Sequence, residues 1–418
     1  MQRQRIVTSL RHLILCFSCL IFHFTHAQRN EIYSDNIASL QISGVNELLP
    51  IYYMDSSTPL TIAFDELSHD YHHYAYKIEH CEYDWAVSKD LFENDYIDGF
   101  AEDNVIHNSQ QSINTNILYT HYSFELPNKD CKFKIGGNYK ITVYDQNNKT
   151  QPEFVVYIMV SEQTMGVNLN VITNTDIDIN HSHQQVEMKV NYGNTTVINP
   201  HQQIKTVVLQ NGRWEQKRMN PTPAYITSSG LQWSHNKDLI FDGGNEYRKF
   251  EILDNNHPTM GIESIKWDGS LFHAYIHLDE PRTSYVYDES ANGAFFIRNS
   301  DNIDNDILSD YLQVHFRLKS PRLANPIYIN GIWTNGIFNE KTMLSYNEEE
   351  QLYEATMLLK QGYYSYQYLQ YHPNHGAIFV PSEGNFFQTR NKYQALIYYR
   401  GSGDRTDRLL GIGLSNFQ

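Results

Sequence analysis

Apolar residues in this chain recur with a period of two over strand-length runs, and no segment sustains the 3.6-residue period of a capped helix. Leu60, Ile62 and Phe64 alternate with polar or small neighbours. So do Tyr74, Tyr76 and Ile78, then Tyr139, Ile141 and Val143, and far downstream Tyr364, Tyr366 and Tyr368. Side chains at i and i+2 of a strand share one face, so each run builds one half-buried strand. Turn residues punctuate the runs: Gly136-Gly137, Asp145 to Asn148, Asn211-Gly212 and Gln361-Gly362. The expected class is all-β, with tandem immunoglobulin-like or early-set β-sandwich domains and few, short helices. The alternation changes parity once, between Ile78 and the Cys81, Tyr83, Trp85 series. A β-bulge between Ile78 and Cys81 is the expected cause.

The 418 residues suffice for two to four domains, at ~100–200 residues each. A first sandwich is expected over 28–162, a middle one over 163–305 and a C-terminal early-set domain over 306–418. The polar, aperiodic run Asn299 to Asp306 reads as a connecting loop. The third unit is similar to early-set modules appended to glycogen-handling enzymes, through Gly331 with Trp333 and Gly362 with Tyr364 and Tyr366. That pattern marks a fold, not sugar binding.

Residues 1–27 have the composition of a secretory signal: Arg3, Arg5 and Arg11, an apolar run from Leu13 to Phe22, and Thr25-His26-Ala27 as a small-residue cleavage site. The run falls short of the about 20 apolar residues that span a bilayer. An exported chain is therefore expected, without a membrane-spanning segment. Formal charge is −16, and the three leader arginines make the remainder more acidic still. Such a surface repels phosphate backbones, which argues against nucleic acid as a partner. Two cysteines lie beyond the leader, Cys81 and Cys131, in an oxidising compartment. Whether they form a disulfide is left open by the sequence.

Catalytic grammar is missing. No nucleophile elbow, Walker loop, His-Glu-x-x-His or Cys-x-x-Cys occurs. His181-Ser182-His183 could offer two ligands to a metal from one strand face, and His69, His72 and His73 crowd one turn. Neither set has a third ligand at a supporting spacing, and exposed polar turns account for both. Asp301 to Asp306 departs from the calcium-loop template, with Asp306 standing where glycine is required. The expectation is no enzyme, no cofactor, no metal and no small-molecule substrate.

One block is denser than the rest: Tyr76-Lys77-Ile78-Glu79-His80-Cys81-Glu82-Tyr83-Asp84-Trp85, followed by Tyr96-Ile97-Asp98-Gly99-Phe100. Ala101-Glu102-Asp103, Thr120-His121-Tyr122, Leu126-Pro127-Asn128 and Gly137-Asn138-Tyr139 continue it. Later come Gly244-Asn245-Glu246-Tyr247-Arg248, Glu383 to Thr389, Tyr398-Tyr399-Arg400 and Asp407-Arg408-Leu409. In this order, these blocks resemble the type IX secretion system plug protein family over nearly the whole chain.

The resemblance implies a periplasmic accessory on the inner side of the outer membrane. It would dock on the translocon barrel and occlude its periplasmic mouth when no cargo carrier is engaged. A familiar cysteine at 81, but no partner at 131, goes with it. An interface of this kind needs aromatic anchors ringed by polar residues. Trp85, Tyr96 and Phe100 are the candidates, with core packing as the competing role of each. The alternative function, from the third unit and the 31 tyrosines, is an exported glycan-binding module.

Overall fold

The computed structural model describes residues 29–44, 48–372 and 376–417. The expected signal peptide, 1–27, lies outside them. The protein is built from β-sheets, and the helices among the described residues are short turns such as Glu93–Tyr96 and Asn305–Leu308. No helix among the described residues is long and apolar enough to cross a membrane.

The alternating runs become facing sheets. In the first unit Tyr74–Cys81, Gly137–Asp145 and Pro152–Ser161 are neighbours in one sheet. Ile37–Ser43, Leu60–Glu66, Thr120–Leu126 and Asn108–Gln111 form the other. Ile62, Phe64, Tyr76, Ile78, Ile141 and Val143 meet in the core between them, as their parity requires. Phe64 anchors an aromatic cluster with Tyr74, Tyr122 and Phe154 at centroid distances of 5.5, 5.3 and 4.7 Å.

The expected bulge is absent. Tyr74–Cys81 pairs with Gly137–Asp145 in unbroken register, from Tyr74 opposite Asp145 to Cys81 opposite Asn138. The parity changes because the chain past Cys81 turns to a second buried surface, where Tyr83 and Trp85 pack against Leu49, Met159, Val207, Trp214 and Leu409.

The expected domain boundary at 305/306 does not follow the strand pairing. Arg248–Ile252 pairs with Gly362–His372. Phe272–Ile276 pairs with Tyr311–Leu318. One core, with Phe250, Ile276, Phe316, Tyr364 and Tyr366, therefore runs from 250 to 380. The C-terminal hairpin Lys392–Tyr399 and Arg408–Asn416 leaves that unit and pairs with Ile204–Gln210. Its residues Tyr393, Ala395, Ile397 and Leu410 complete the middle core with Val186, Met188, Trp233 and Phe241. The third unit is thus an insertion in the middle one. Both ends of the insertion are strand pairings between residues more than a hundred apart, which local periodicity does not register. Asn299 to Asp306 is no connector either: it lies within the third unit and leads into the turn Asn305–Leu308, where Ile307 O accepts from Ile113 N of the first unit.

Candidate functional site

Strand Tyr74–Cys81 delivers His80 and Glu82 to the boundary between the first unit and the C-terminal hairpin. Glu82 Oε1 accepts from Ser88 Oγ at 2.8 Å, and Oε2 accepts from Asp407 N at 2.9 Å and from Arg400. Arg400 Nε also lies 3.0 Å from Asp407 Oδ1. Tyr83 N donates to Asp407 Oδ2 at 3.3 Å. Asn138 Nδ2 donates to Glu82 O at 2.9 Å, and Tyr398 OH donates to Asn138 Oδ1 at 2.8 Å. Burial opposes the charge of Glu82, but hydrogen bonds from Asp407 N and Ser88 and the charge of Arg400 hold its pKa below the usual value. Arg408 clamps Glu162 beside it, with Nε 2.9 Å from Oε1. The apolar side of this clasp is the ring contact of Trp85 with Trp214 at 5.3 Å and with Tyr157 at 5.2 Å.

A second clasp closes where the chain enters and leaves the inserted unit. Gly244 N donates to Asn385 Oδ1 at 2.8 Å, and Phe386 N returns a bond to Gly244 O at 2.8 Å. Asn245 Nδ2 donates to Glu383 O at 2.8 Å. Arg248 reaches Glu383 at 3.0 Å and Asp279 at 2.8 Å, and Arg282 also pairs with Glu383. Tyr366 and Tyr368 donate to Asp279 Oδ2 at 2.9 and 2.7 Å, satisfying a buried carboxylate.

A third junction joins the first unit to the inserted one. Asp65 and Lys360 form an ion pair at 2.6 Å with both side chains 1% exposed. Tyr311 OH donates to Asp65 Oδ2 at 2.6 Å, His121 Nδ1 lies 2.7 Å from Oδ1, and Lys360 Nζ sits 4.1 Å from the centre of the Tyr119 ring. Each unit is therefore held to both others through buried, directional contacts.

Residues 37–162 match the type 9 secretion system plug protein first domain. The chain is also similar, at 36% identity, to a hypothetical protein from Parabacteroides merdae ATCC 43184 known from a crystal structure at 2.30 Å resolution. The match covers 93% of this chain and 99% of that one, with a TM-score of 0.89. The chain belongs to the type 9 secretion system plug protein family. Its role is accordingly associated with type 9 secretion. The match to the S. aureus collagen adhesin covers 94% of this chain and 99% of that one, at 8% identity and a TM-score of 0.10. No curated protein matches the chain.

In this plug-family protein several of the sequence blocks that carry the resemblance gather in space. His80 to Trp85, Gly137 to Tyr139, Tyr398 to Arg400 and Asp407 to Leu409 make the first clasp. Gly244 to Arg248 and Glu383 to Thr389 make the second. His121 belongs to the third.

The three candidate anchors part company. Trp85 is partly buried, its ring edge-on to Trp214, and Tyr96 is 7% exposed with its OH donating to Ile78 O at 3.2 Å. Tyr96 is covered by its neighbours, and Trp85 spends part of its surface on Trp214 and Tyr157. Phe100 stands out at 69% exposed, just after Ile97–Gly99, which pairs with Cys131–Phe133. Phe92, also exposed, heads the turn Glu93–Tyr96 and escaped the sequence reading.

Cys81 and Cys131 are free and buried, not bridged. Burial pushes both thiols up to about 12, away from thiolate reactivity. His183 Nδ1 is spent on Asp178 at 2.6 Å, while His181 is exposed. Among the described residues no three His, Cys, Asp or Glu side chains are grouped to hold a metal ion.

His80 gives the first clasp a pH dependence. Its Nδ1 lies 2.9 Å from Ser88 Oγ and 3.2 Å from Thr406 Oγ1, and burial pushes its pKa from 6.5 down to about 4. Between those values the unfolded chain takes up a proton that the folded protein refuses. Stability contributed by neutral His80 is therefore full above about pH 6.5 and falls as pH drops towards 4, by roughly 3 kcal/mol in all. Urea midpoints measured from pH 7 to 4 should drop more steeply for the wild type than for His80→Asn. Parallel profiles would refute the assignment.

Proposed function

We propose that this protein docks on the periplasmic opening of the outer-membrane type 9 translocon barrel and occludes it while no cargo carrier is engaged. Family membership supplies the context. The observation that carries the mechanism is the closed set of three junctions: a plug must resist deformation, and three units each fastened to the other two cannot hinge freely about one linker. Occlusion is then steric, needs no cofactor and ends by exchange with a carrier. Phe100 is the aromatic anchor we assign to the docking face, since its side chain is solvent-exposed on a strand end whose backbone is fixed by Phe100 N donating to Asp130 O at 3.0 Å.

Tagged mature chain expressed in its own host should recover an outer-membrane barrel protein from detergent-solubilised envelopes. Recovery should fall tenfold or more for Phe100→Asp, with no change in thermal stability. Failure of the wild type to bring down any barrel ends the plug reading, whereas full recovery with Phe100→Asp moves the docking face elsewhere. The glycan-binding alternative has no comparable support. Trp333, at the Gly-aromatic turn of the inserted unit, donates its indole N–H to Ser365 O at 2.9 Å and packs against Tyr364 with centroids 5.4 Å apart.

A further inference from the structure

Side chains of a strand alternate between two faces, so a surface lined by four consecutive strand residues runs along the backbone edge. A cavity of about 410 Å³ between the first and inserted units is lined in this way on two sides. Ile37 to Leu40 form one wall and Thr356 to Leu359 another. Both edges are open among the described residues. Ile37–Ser43 is the outermost strand of its sheet and pairs with Leu60–Glu66 alone. Ser345–Asn347 covers the outer side of Leu352–Lys360 from Leu352 to Glu354, and no strand covers it from Ala355 onwards. A free edge presents a row of N–H and C=O groups to any chain laid beside it.

The rest of the lining is mostly apolar. Ile32, Leu67, Phe295, Ile337, Met357 and Leu358 line the cavity and are each only part-buried. Asp35 and Lys341 are its charged lining residues, and they pair with each other at 2.6 Å. The cavity continues the junction of the two units, where Tyr311 OH donates to Ser39 Oγ at 2.7 Å. We propose that it takes an extended, uncharged segment of a partner protein, about four residues long, as an added strand. At ~3.3 Å per residue, four residues match the length of either wall. The segment's main chain pairs with the free edges, and alternate side chains pack on the apolar lining. A charged segment meets no free opposite charge, because Asp35 and Lys341 neutralise each other. An acyl chain suits the apolar walls but leaves both backbone edges unpaired. This contact goes beyond occlusion of a barrel: it recognises backbone and does not depend on Phe100.

A display library of uncharged hexapeptides, with apolar residues at alternate positions, tests this on the full mature chain. Enriched peptides should bind saturably at one per chain. Hydrogen exchange at saturation should slow at Ile37 to Leu40, at Thr356 to Leu359, or at both. Methylating alternate backbone nitrogens of the leading peptide should weaken binding tenfold or more. Ala38→Trp, which fills the cavity from one wall, should do the same at an unchanged melting temperature. Should that variant not fold, exchange and the methylated peptide decide alone. No enriched peptide, binding indifferent to methylation, or protection confined to other segments overturns the proposal. So does protection of these amides by myristate but by no peptide, which marks an acyl-chain site. Concentration-dependent dimerisation of the unliganded chain with the same amides protected also overturns it, since the occupant is then a second copy.

Discussion

Lys360→Met is expected to destabilise the protein by about 3–5 kcal/mol, the range for breaking a buried ion pair from one side. Lys360 and Asp65 sit 2.6 Å apart at 1% exposure, so the substitution leaves a carboxylate that water cannot reach. Burial already lowers the pKa of Lys360, opposed by the attraction of Asp65. Tyr311 OH and His121 Nδ1 remain beside the carboxylate, at 2.6 and 2.7 Å, and soften the loss without supplying a fixed charge. Adding Asp65→Asn should restore most of the stability, because the pair is then removed whole. Denaturant midpoints of the two single variants and the double variant form the cycle. A loss under about 1 kcal/mol for Lys360→Met, or no recovery in the double variant, would mean that the junction does not depend on the pair. Small-angle scattering should also show the single variant expanded, as one side of the closed arrangement opens.

Glu383→Ala is expected to have the second-largest effect, about 3 kcal/mol or more. The carboxylate is 1% exposed and receives both Arg248 and Arg282 where the chain enters and leaves the inserted unit. Removing it frees two guanidinium groups, that of Arg248 largely buried and that of Arg282 half-buried. Arg248 keeps Asp279 at 2.8 Å, and Arg282 keeps the Glu246 carbonyl at 2.5 Å, so the loss is partial for each. Glu383→Gln preserves shape and one acceptor oxygen, and should lose less than half as much. Limited proteolysis should then nick Glu383→Ala near the return segment sooner than wild type. Equal proteolysis rates and midpoints would contradict this role.

Strand faces were legible in the sequence wherever one surface of a strand is buried. Leu60, Ile62 and Phe64 point inward as their spacing required, and Tyr364, Tyr366 and Tyr368 share a buried face. Legibility failed where a strand serves two cores. The parity change at Cys81 is such a place: it marked the approach of a second unit, not a bulge. It failed again at 248 and 392, where strands cross between units, because pairing partners lie in no local pattern. Aromatic identity alone also did not separate Trp85 and Tyr96 from Phe100; neighbours supplied by distant strands did.

By itself the sequence determined the all-β class, the strand faces and the family blocks, because period-two alternation and turn chemistry act over a few residues. Tertiary structure alone decided that several of those blocks meet as clasps, that Asp65 finds Lys360 across 295 positions, and that the Arg213 guanidinium is buried over the Phe379 ring. Desolvation is the physical reason. Whether a charge is solvated, paired or left waiting depends on what the rest of the chain places around it, and no local spacing carries that information.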